Sequence, residues 1–306
     1  MRAKEQAAEL ALRVGAELGE SPVWDERRQE LFFLDILAGR VHAYCPGTGG
    51  HRFFSLMAPV GAIALRKDGG LLLAAQESFV LAAEDGSTVV PFGAFRIDAE
   101  QVRFNDGKVD AAGRFVAGTM HRDGVEPVGA LYRLSGDATV ERLLDGITIS
   151  NGIAFSSDGS TLYYIDSVTQ TVDALAFEEA TGRLASRRVV AEVGGGSPDG
   201  MAIDDEGLLW VAVFEGGRVE RIDPLTGQTV SVVRVPTPQV TSVAFGGRSL
   251  TQLFITTAHE GFDEGALLGD PHAGDLFVAD VGVSGPLAHR FAGGPRVRGS
   301  AVACPA

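Results

Sequence analysis

The sequence has few cysteines, no long apolar run and a shortage of basic residues. Its two cysteines, Cys45 and Cys304, do not provide the disulfide framework of a small secreted domain. The formal net charge of −14 argues against a nucleic-acid partner, because phosphate binding requires a basic surface. No segment approaches the ~18 consecutive apolar residues of a membrane-spanning helix, and the N-terminus lacks a continuous apolar signal segment. We therefore expect a soluble cytoplasmic protein with no membrane partner.

What the sequence does contain is a repeat, clearest at residues 197–228, where short apolar runs alternate with Gly, Asp and Pro turns. Such runs are typical of antiparallel strands joined by hairpins. Residues 150–182 repeat the pattern, and four other regions fit the same frame. One shared position of the repeat recurs every 41–48 residues and is occupied by Glu20, Gly61, Asn105, Asn151, Asp199 and Thr241. This period is typical of a four-stranded propeller blade, so the sequence predicts an all-β, six-bladed β-propeller.

The chain is expected to form a single domain over residues 1–306, since a closed β ring of this length is normally one domain. Residues 1–8 are predicted to be frayed or weakly helical, and residues 9–18 to form a strand. An open ring would leave an exposed strand edge. We therefore predict closure by strands from both termini, with residues 287–291 as the C-terminal partner. Insertions at residues 120–128 and 258–274 predict loops at the channel ends, where loops commonly shape a site.

Four of the six repeat positions carry oxygen donors, namely Glu20, Asn105, Asn151 and Asp199. Equivalent positions of different blades should converge at one mouth of the channel, although Asn and Asp before Gly can also be ordinary turn residues. Converging carboxylates repel each other unless a cation lies between them. Oxygen donors select Ca²⁺, Mg²⁺ or Mn²⁺, and Zn²⁺ bound through oxygens is also compatible. Arg103 should project to the same side as Asn105, either toward a substrate or as a solvated surface residue.

Several motifs in chain order extend this prediction over nearly the whole sequence. They include Gly-Glu-Ser-Pro-Val-Trp at 19–24, Arg-Phe-Asn-Asp-Gly at 103–107, Gly-Thr-Met at 118–120, Ser-Asn-Gly at 150–152 and Pro-Asp-Gly-Met at 198–201. In these motifs the chain resembles the senescence-marker-protein (regucalcin), gluconolactonase and luciferin-regenerating-enzyme family.

The resemblance implies the same six-bladed fold and a role for each residue of the site. It implies that Glu20, Asn151 and Asp199 bind one divalent metal ion and that Arg103 and Asn105 contact the substrate. The family also places an acidic substrate contact shortly after the Gly-Thr-Met motif. In this sequence the candidate is Asp123.

The leading functional hypothesis is hydrolysis of a sugar lactone, such as gluconolactone, to the free sugar acid. The metal ion would polarise the lactone carbonyl, and Asp199 would act as general base for water. One alternative keeps the metal site but turns over aryl esters or phosphotriesters. Another is a non-catalytic, calcium-binding regulatory propeller. The sequence leaves open the metal (Ca²⁺, Zn²⁺, Mn²⁺ or Mg²⁺), the lactone and the oligomeric state.

Overall fold

Apolar runs separated by tight turns form β-strands throughout the computed structural model, which describes residues 3–297 and residue 299. Two strands precede the first blade, β1 (Lys4–Ala7) and β2 (Glu9–Leu12). Blades one to three consist of β3 (Gly19–Asp25), β4 (Glu30–Asp35), β5 (Arg40–Cys45), β6 (Gly50–Ser55), β7 (Val60–Leu65), β8 (Leu71–Ala75), β9 (Ser78–Ala82), β10 (Val89–Pro91), β11 (Val102–Val109), β12 (Phe115–His121), β13 (Gly129–Leu134) and β14 (Val140–Ile147).

The second half of the ring has the same organisation. Blades four to six contain β15 (Ser150–Phe155), β16 (Thr161–Asp166), β17 (Thr171–Glu178), β18 (Arg183–Glu192), β19 (Ser197–Ile203), β20 (Leu209–Phe214), β21 (Arg218–Asp223), β22 (Gln228–Arg234), β23 (Val240–Gly246), β24 (Gln252–Thr257) and β25 (Leu276–Asp280). The described helices are a 3₁₀ turn (Ser167–Thr169) and α1 (Glu264–Gly269). Among the described residues, no helix has the length and apolar character needed to cross a membrane.

The six sheets are arranged as a closed ring of blades. The first strand of each blade packs against the first strands of its neighbours, and β23 packs against β3 to complete the circle. These six inner strands, β3, β7, β11, β15, β19 and β23, surround the central channel. The prediction of a six-bladed propeller with four-stranded antiparallel blades is confirmed.

Strands from both ends of the described chain close the ring. In the sixth blade β2 pairs antiparallel with β25, the last strand of the structure, so Leu10 faces Phe277. Residues 287–291 were predicted to pair with an N-terminal strand, and this part of the prediction is wrong. Phe291 instead forms a parallel β-bridge with Arg66, which directly follows β7 of the second blade. Cys304, and the remainder of the predicted domain beyond residue 299, lie outside the described residues.

The predicted fraying of residues 1–8 is wrong for Lys4–Ala7, which forms β1. This strand pairs in parallel with β22 and gives the fifth blade a fifth strand. Its polar sequence does not reveal the pairing, because the free edge of β22 supplies the backbone hydrogen-bonding groups and little apolar surface is buried.

Apolar side chains fill the spaces between blades and hold the inner strands in position. Between blades two and three, Phe79 packs against Phe104 and Phe115 with ring centroids 5.1 and 6.1 Å apart. All three rings are buried. Burial of large aromatic side chains is among the strongest stabilising contributions available to a fold. Packing of this kind makes the inner strands a rigid support for side chains at the channel.

Candidate functional site

Every inner strand is irregular at the shared position of the repeat. Register shifts occur between Glu20 and Val23, Val60 and Ala62, Phe104 and Gly107, Asn151 and Ile153, Pro198 and Met201, and Val240 and Ser242. β-Bulges of this kind re-aim side chains and are common next to functional sites. The oxygen donors therefore lie at bulges within strands, and the turn-residue alternative is wrong for them.

A cavity of about 240 Å³ is located at the end of the channel where the inner strands begin. Its polar lining consists of Glu20, Arg103, Asn105, Asn151, Ser167, Asp199 and Glu260, together with Ser197. Leu18, Met120, Ile149 and Phe214 contribute apolar wall. The structure thus brings five of the six predicted site residues together, although they come from four different blades.

Two of these residues form a buried carboxylate pair. Glu20 is 3% exposed and Asp199 is 8% exposed. Burial raises the pKa of Glu20 well above its ordinary value, and the charge of Asp199 raises it further. Burial also raises the pKa of Asp199, with the Asp106 carboxylate as the second cause. The protein alone therefore poorly tolerates two negative charges at this point.

Asn151 is held so that its amide oxygen has no partner among the residues that the structure describes. Its Nδ2 donates to Ser167 Oγ at 3.0 Å, and that hydroxyl donates to the Pro198 carbonyl at 2.7 Å. Asn151 Oδ1 and Asp199 Oδ1 are both buried, and neither accepts a hydrogen bond from any described residue. Unpaired buried acceptors are costly, so both oxygens favour a positively charged or hydrogen-bonding ligand.

These features fit a divalent cation. A carboxylate pair with raised pKa values and two unpaired oxygens offers the hard oxygen ligands that Ca²⁺, Mg²⁺ or Mn²⁺ prefers. Within the described part of the chain, no group of three or more His, Cys, Asp and Glu residues could hold a metal ion. The donor set would therefore be mixed, with Glu20, Asp199 and the Asn151 carboxamide. Their assignment as metal ligands stays a prediction.

Arg103 and Asn105 form a second buried unit beside the carboxylates. Arg103 is 8% exposed, which rules out a solvated surface position. Its Nη1 donates to Asn105 Oδ1 at 2.5 Å, and Asn105 Nδ2 donates to the Ser150 carbonyl at 2.9 Å. Burial lowers the pKa of Arg103, and the Glu260 carboxylate acts in the opposite direction. A positioned cation and amide thus border the cavity.

Asp123 is placed apart from this unit. It is exposed in the segment 120–128, where its backbone N–H donates to His121 Nδ1 at 3.2 Å, and it does not line the cavity. Its contact with substrate stays a prediction.

A further acidic residue that borders the cavity is Glu260, from the insertion at 258–274, and its charge acts on Arg103. Sequence reasoning missed Glu260 because it has no position in the repeat. The insertion itself was the only signal. The buried Gln239 holds the Glu260 backbone in place, since its Nε2 donates to the Glu260 carbonyl at 3.0 Å and to Glu215 Oε1 at 2.9 Å.

Comparisons with known proteins agree with this architecture. The family model described as SMP-30/Gluconolactonase/LRE-like region matches residues 18–259. A regucalcin from Xenopus laevis is 40% identical over 285 residues, covering 90% of this chain and 95% of the relative.

Two solved structures share the fold over nearly the whole chain. A calcium-binding regucalcin from Agrobacterium tumefaciens has a TM-score of 0.89 at 26% identity, covering 95% of this chain and 99% of its own. A luciferin-regenerating enzyme has a TM-score of 0.85 at 30% identity, covering 94% of this chain and 100% of its own. From its sequence, its fold and these relatives, the chain belongs to the SMP-30/gluconolactonase/LRE-like family.

Proposed function

We propose that the protein hydrolyses a sugar lactone of the aldonolactone class to the free sugar acid, and that the reaction depends on one divalent metal ion. The observation that carries the proposal is the buried pair of Glu20 and Asp199 beside the unpaired Asn151 oxygen, inside an open cavity that Arg103 borders. Membership of a family that includes gluconolactonases supports the same class of reaction.

Glu20, Asn151 and Asp199 would hold the metal ion. When bound, the ion supplies Lewis-acid activation of the lactone carbonyl. The Asn151 amide is oriented for this role by its hydrogen bond to Ser167. Since the ligands come from three blades, the rigid ring sets their separation.

Arg103 and Asn105 would bind and orient the substrate. The Arg103 guanidinium offers N–H donors to the ring or hydroxyl oxygens of a lactone. Asn105 uses both atoms of its amide group, since Oδ1 accepts from Arg103 and Nδ2 donates to the Ser150 carbonyl. These two hydrogen bonds keep Arg103 in one position. Holding the ring in a single orientation lowers the entropic cost of reaching the transition state.

Asp199 would act as the general base. Its carboxylate takes a proton from the attacking water as the water oxygen bonds to the carbonyl carbon. The ring C–O bond then breaks, and the proton passes to the departing alkoxide, which becomes a hydroxyl of the product. The product is an open sugar acid, and Asp199 returns to its starting state.

The test is a substrate panel on metal-stripped protein reloaded in turn with Ca²⁺, Mg²⁺, Mn²⁺ and Zn²⁺. The substrates are glucono-, galactono-, xylono- and arabinonolactone, an aryl ester and a phosphotriester. We expect no turnover of lactones without metal and the highest kcat/KM on an aldonolactone after reloading. The name of the calcium-binding Agrobacterium relative makes Ca²⁺ the first ion to test.

Two outcomes of the same panel would replace the proposal. Turnover confined to the aryl ester or phosphotriester would indicate an esterase with the same metal site. Calorimetric binding of metal without turnover of any substrate would indicate a calcium-binding regulatory propeller.

A further inference from the structure

Ser167 adjoins two of the proposed metal ligands but belongs to neither of their strands. It begins the 3₁₀ turn Ser167–Thr169, which follows β16. The residue is buried and lines the candidate cavity together with Asn151 and Asp199. Asn151 lies on β15 of the fourth blade, whereas Asp199 lies on β19 of the fifth. Its one hydroxyl makes hydrogen bonds to both of these strands.

The backbone of Ser167 is held without the hydroxyl. Its N–H donates to the Ile149 carbonyl at 3.1 Å, and its carbonyl accepts from the Gln170 N–H at 3.2 Å. The preceding Asp166 carboxylate accepts from the backbone N–H groups of Thr148 and Ile149, which fixes the start of the turn. We therefore expect the turn to keep its conformation when the hydroxyl is removed.

The direction of the Ser167 O–H bond determines how the Asn151 amide is oriented. A carbonyl oxygen only accepts, so the hydroxyl must donate its single proton to the Pro198 carbonyl, 2.7 Å away. The hydroxyl oxygen then only accepts from Asn151, and the amide atom able to donate is Nδ2, at 3.0 Å. Asn151 Oδ1 is thereby left buried and without a donor among the described residues.

Removal of the hydroxyl would release the Asn151 amide to turn over. The Asn151 and Asp199 side chains are close enough to interact, and Asp199 Oδ1 is a buried acceptor with no donor in the described part of the chain. The released Nδ2 would therefore donate to the Asp199 carboxylate. That hydrogen bond would occupy one proposed metal ligand and put N–H groups, which repel a cation, in the place of another.

We propose that Ser167 is a positioning residue for the metal site, which makes the Asn151 carboxamide an oxygen ligand. The inference rests on the proposed function, because it concerns the metal ion assigned there. The same hydroxyl bonds to the carbonyl of Pro198, directly before Asp199, so it also joins the strands that supply two of the three ligands. Removal of a residue that orients a metal ligand typically weakens metal binding by about 10–100-fold.

Mn²⁺ titrated calorimetrically into the metal-stripped, full-length protein measures this effect. We expect Ser167→Ala to weaken Mn²⁺ binding about tenfold or more. Thr169→Ala is the matched control, because it removes an exposed hydroxyl of the same turn that donates to the Asp166 carbonyl at 2.8 Å. Its Mn²⁺ affinity should equal that of the wild type. Circular dichroism confirms that each variant is folded.

A double-mutant cycle separates orientation of the amide from a merely structural role. In Asn151→Asp both terminal side-chain atoms are oxygens, so turning the group over presents no N–H to the ion. In this background we expect Ser167→Ala to weaken Mn²⁺ binding by less than about threefold. An equal loss in both backgrounds, or no loss in Ser167→Ala alone, would overturn the positioning role and leave the metal site intact. Absence of Mn²⁺ binding to the wild type would overturn the proposed function together with this inference.

Discussion

At the scale of single residues, the candidate site depends on carboxylates that burial makes unfavourable to ionise together. Both side chains are buried, which raises the pKa of each; the charge of Asp199 raises the pKa of Glu20 further, and the charge of Asp106 does the same for Asp199. A dication would reverse that cost, because it favours the ionised form of both groups. The same residues would thus bind metal tightly and provide the proton acceptor for water.

Asp199→Asn tests the residue with two assigned roles. The amide keeps the shape of the side chain but removes one negative charge and the proton acceptor. We expect kcat/KM on the best aldonolactone to fall by about 10²–10⁴-fold, together with weaker dication binding by calorimetry. Asp205→Asn, which alters an exposed carboxylate of the same blade, is the control. Full activity in Asp199→Asn with metal bound would show that another group is the base.

His42, which does not line the candidate cavity, makes the stability of the fold depend on pH. The ring is 2% exposed, stacks on Phe33 at 4.8 Å, and its Nδ1 is 2.9 Å from His51 Nε2. Burial, and then the charge of His51, lowers the pKa of His42 from 6.5 to about 4. Because the unfolded state takes up the proton first, stability is fully present above about pH 6.5 and is lost as the pH falls toward 4.

We expect His42→Phe to flatten that part of the pH profile of unfolding. The contribution of His42 to the free energy of unfolding changes by about 3 kcal/mol between pH values above 6.5 and below 4. Urea unfolding of wild type and variant at several pH values between 4 and 7 measures it, with the exposed His289→Phe as control. Parallel profiles for wild type and His42→Phe would contradict the assignment.

At the scale of elements, the repeat made the inner strands and the convergence of Glu20, Asn105, Asn151 and Asp199 predictable from sequence. The repeat position of blade two carries no donor for a physical reason. A Cβ at Gly61 would lie 2.1 Å from the Phe104 carbonyl oxygen, so only glycine fits the close approach of the two inner strands.

Elements outside the repeat were not predictable in the same way. Glu260 lies in an insertion, and its place beside the cavity depends on long-range hydrogen bonds from Gln239. β1 forms because β22 has a free edge, not because its own residues have a strand pattern. Asp123 was assigned by resemblance alone, and the conformation of its loop does not bring it to the cavity lining.

The loop that carries Glu260 should influence substrate binding. Glu260 lines the candidate cavity, its charge acts on Arg103, and its carboxylate would accept a hydrogen bond from a lactone hydroxyl. We expect Glu260→Gln to raise KM for a polyhydroxylated lactone severalfold, with a smaller change in kcat. Glu264→Gln, an exposed residue of the same insertion, serves as the control. Equal KM values in wild type and Glu260→Gln would exclude a role for this carboxylate.

At the scale of the whole molecule, ring closure makes the N-terminal strands part of the propeller. β2 completes the sixth blade, and the Tyr44 hydroxyl donates to the Ala11 carbonyl at 3.0 Å. β1 only widens the fifth blade, and its Arg234–Glu5 ion pair is exposed and contributes little.

Two N-terminal deletions should therefore differ in their effects. Removal of residues 1–7 should lower the free energy of unfolding slightly. Removal of residues 1–12 should cost about 2 kcal/mol more, because the partly buried Ala11 and Leu12 contacts are lost and the β25 edge becomes free. Urea unfolding and light scattering measure stability and association. Equal stability of the two deletion variants would show that β2 does not close the ring.

Anomalous diffraction from crystals of the protein soaked in Mn²⁺ tests the proposed metal site most directly. We predict one strong peak at the channel mouth, within about 2.0–2.6 Å of oxygens from Glu20, Asn151 and Asp199. The contradictory result is no ion among these three residues in crystals of a protein that still hydrolyses lactones.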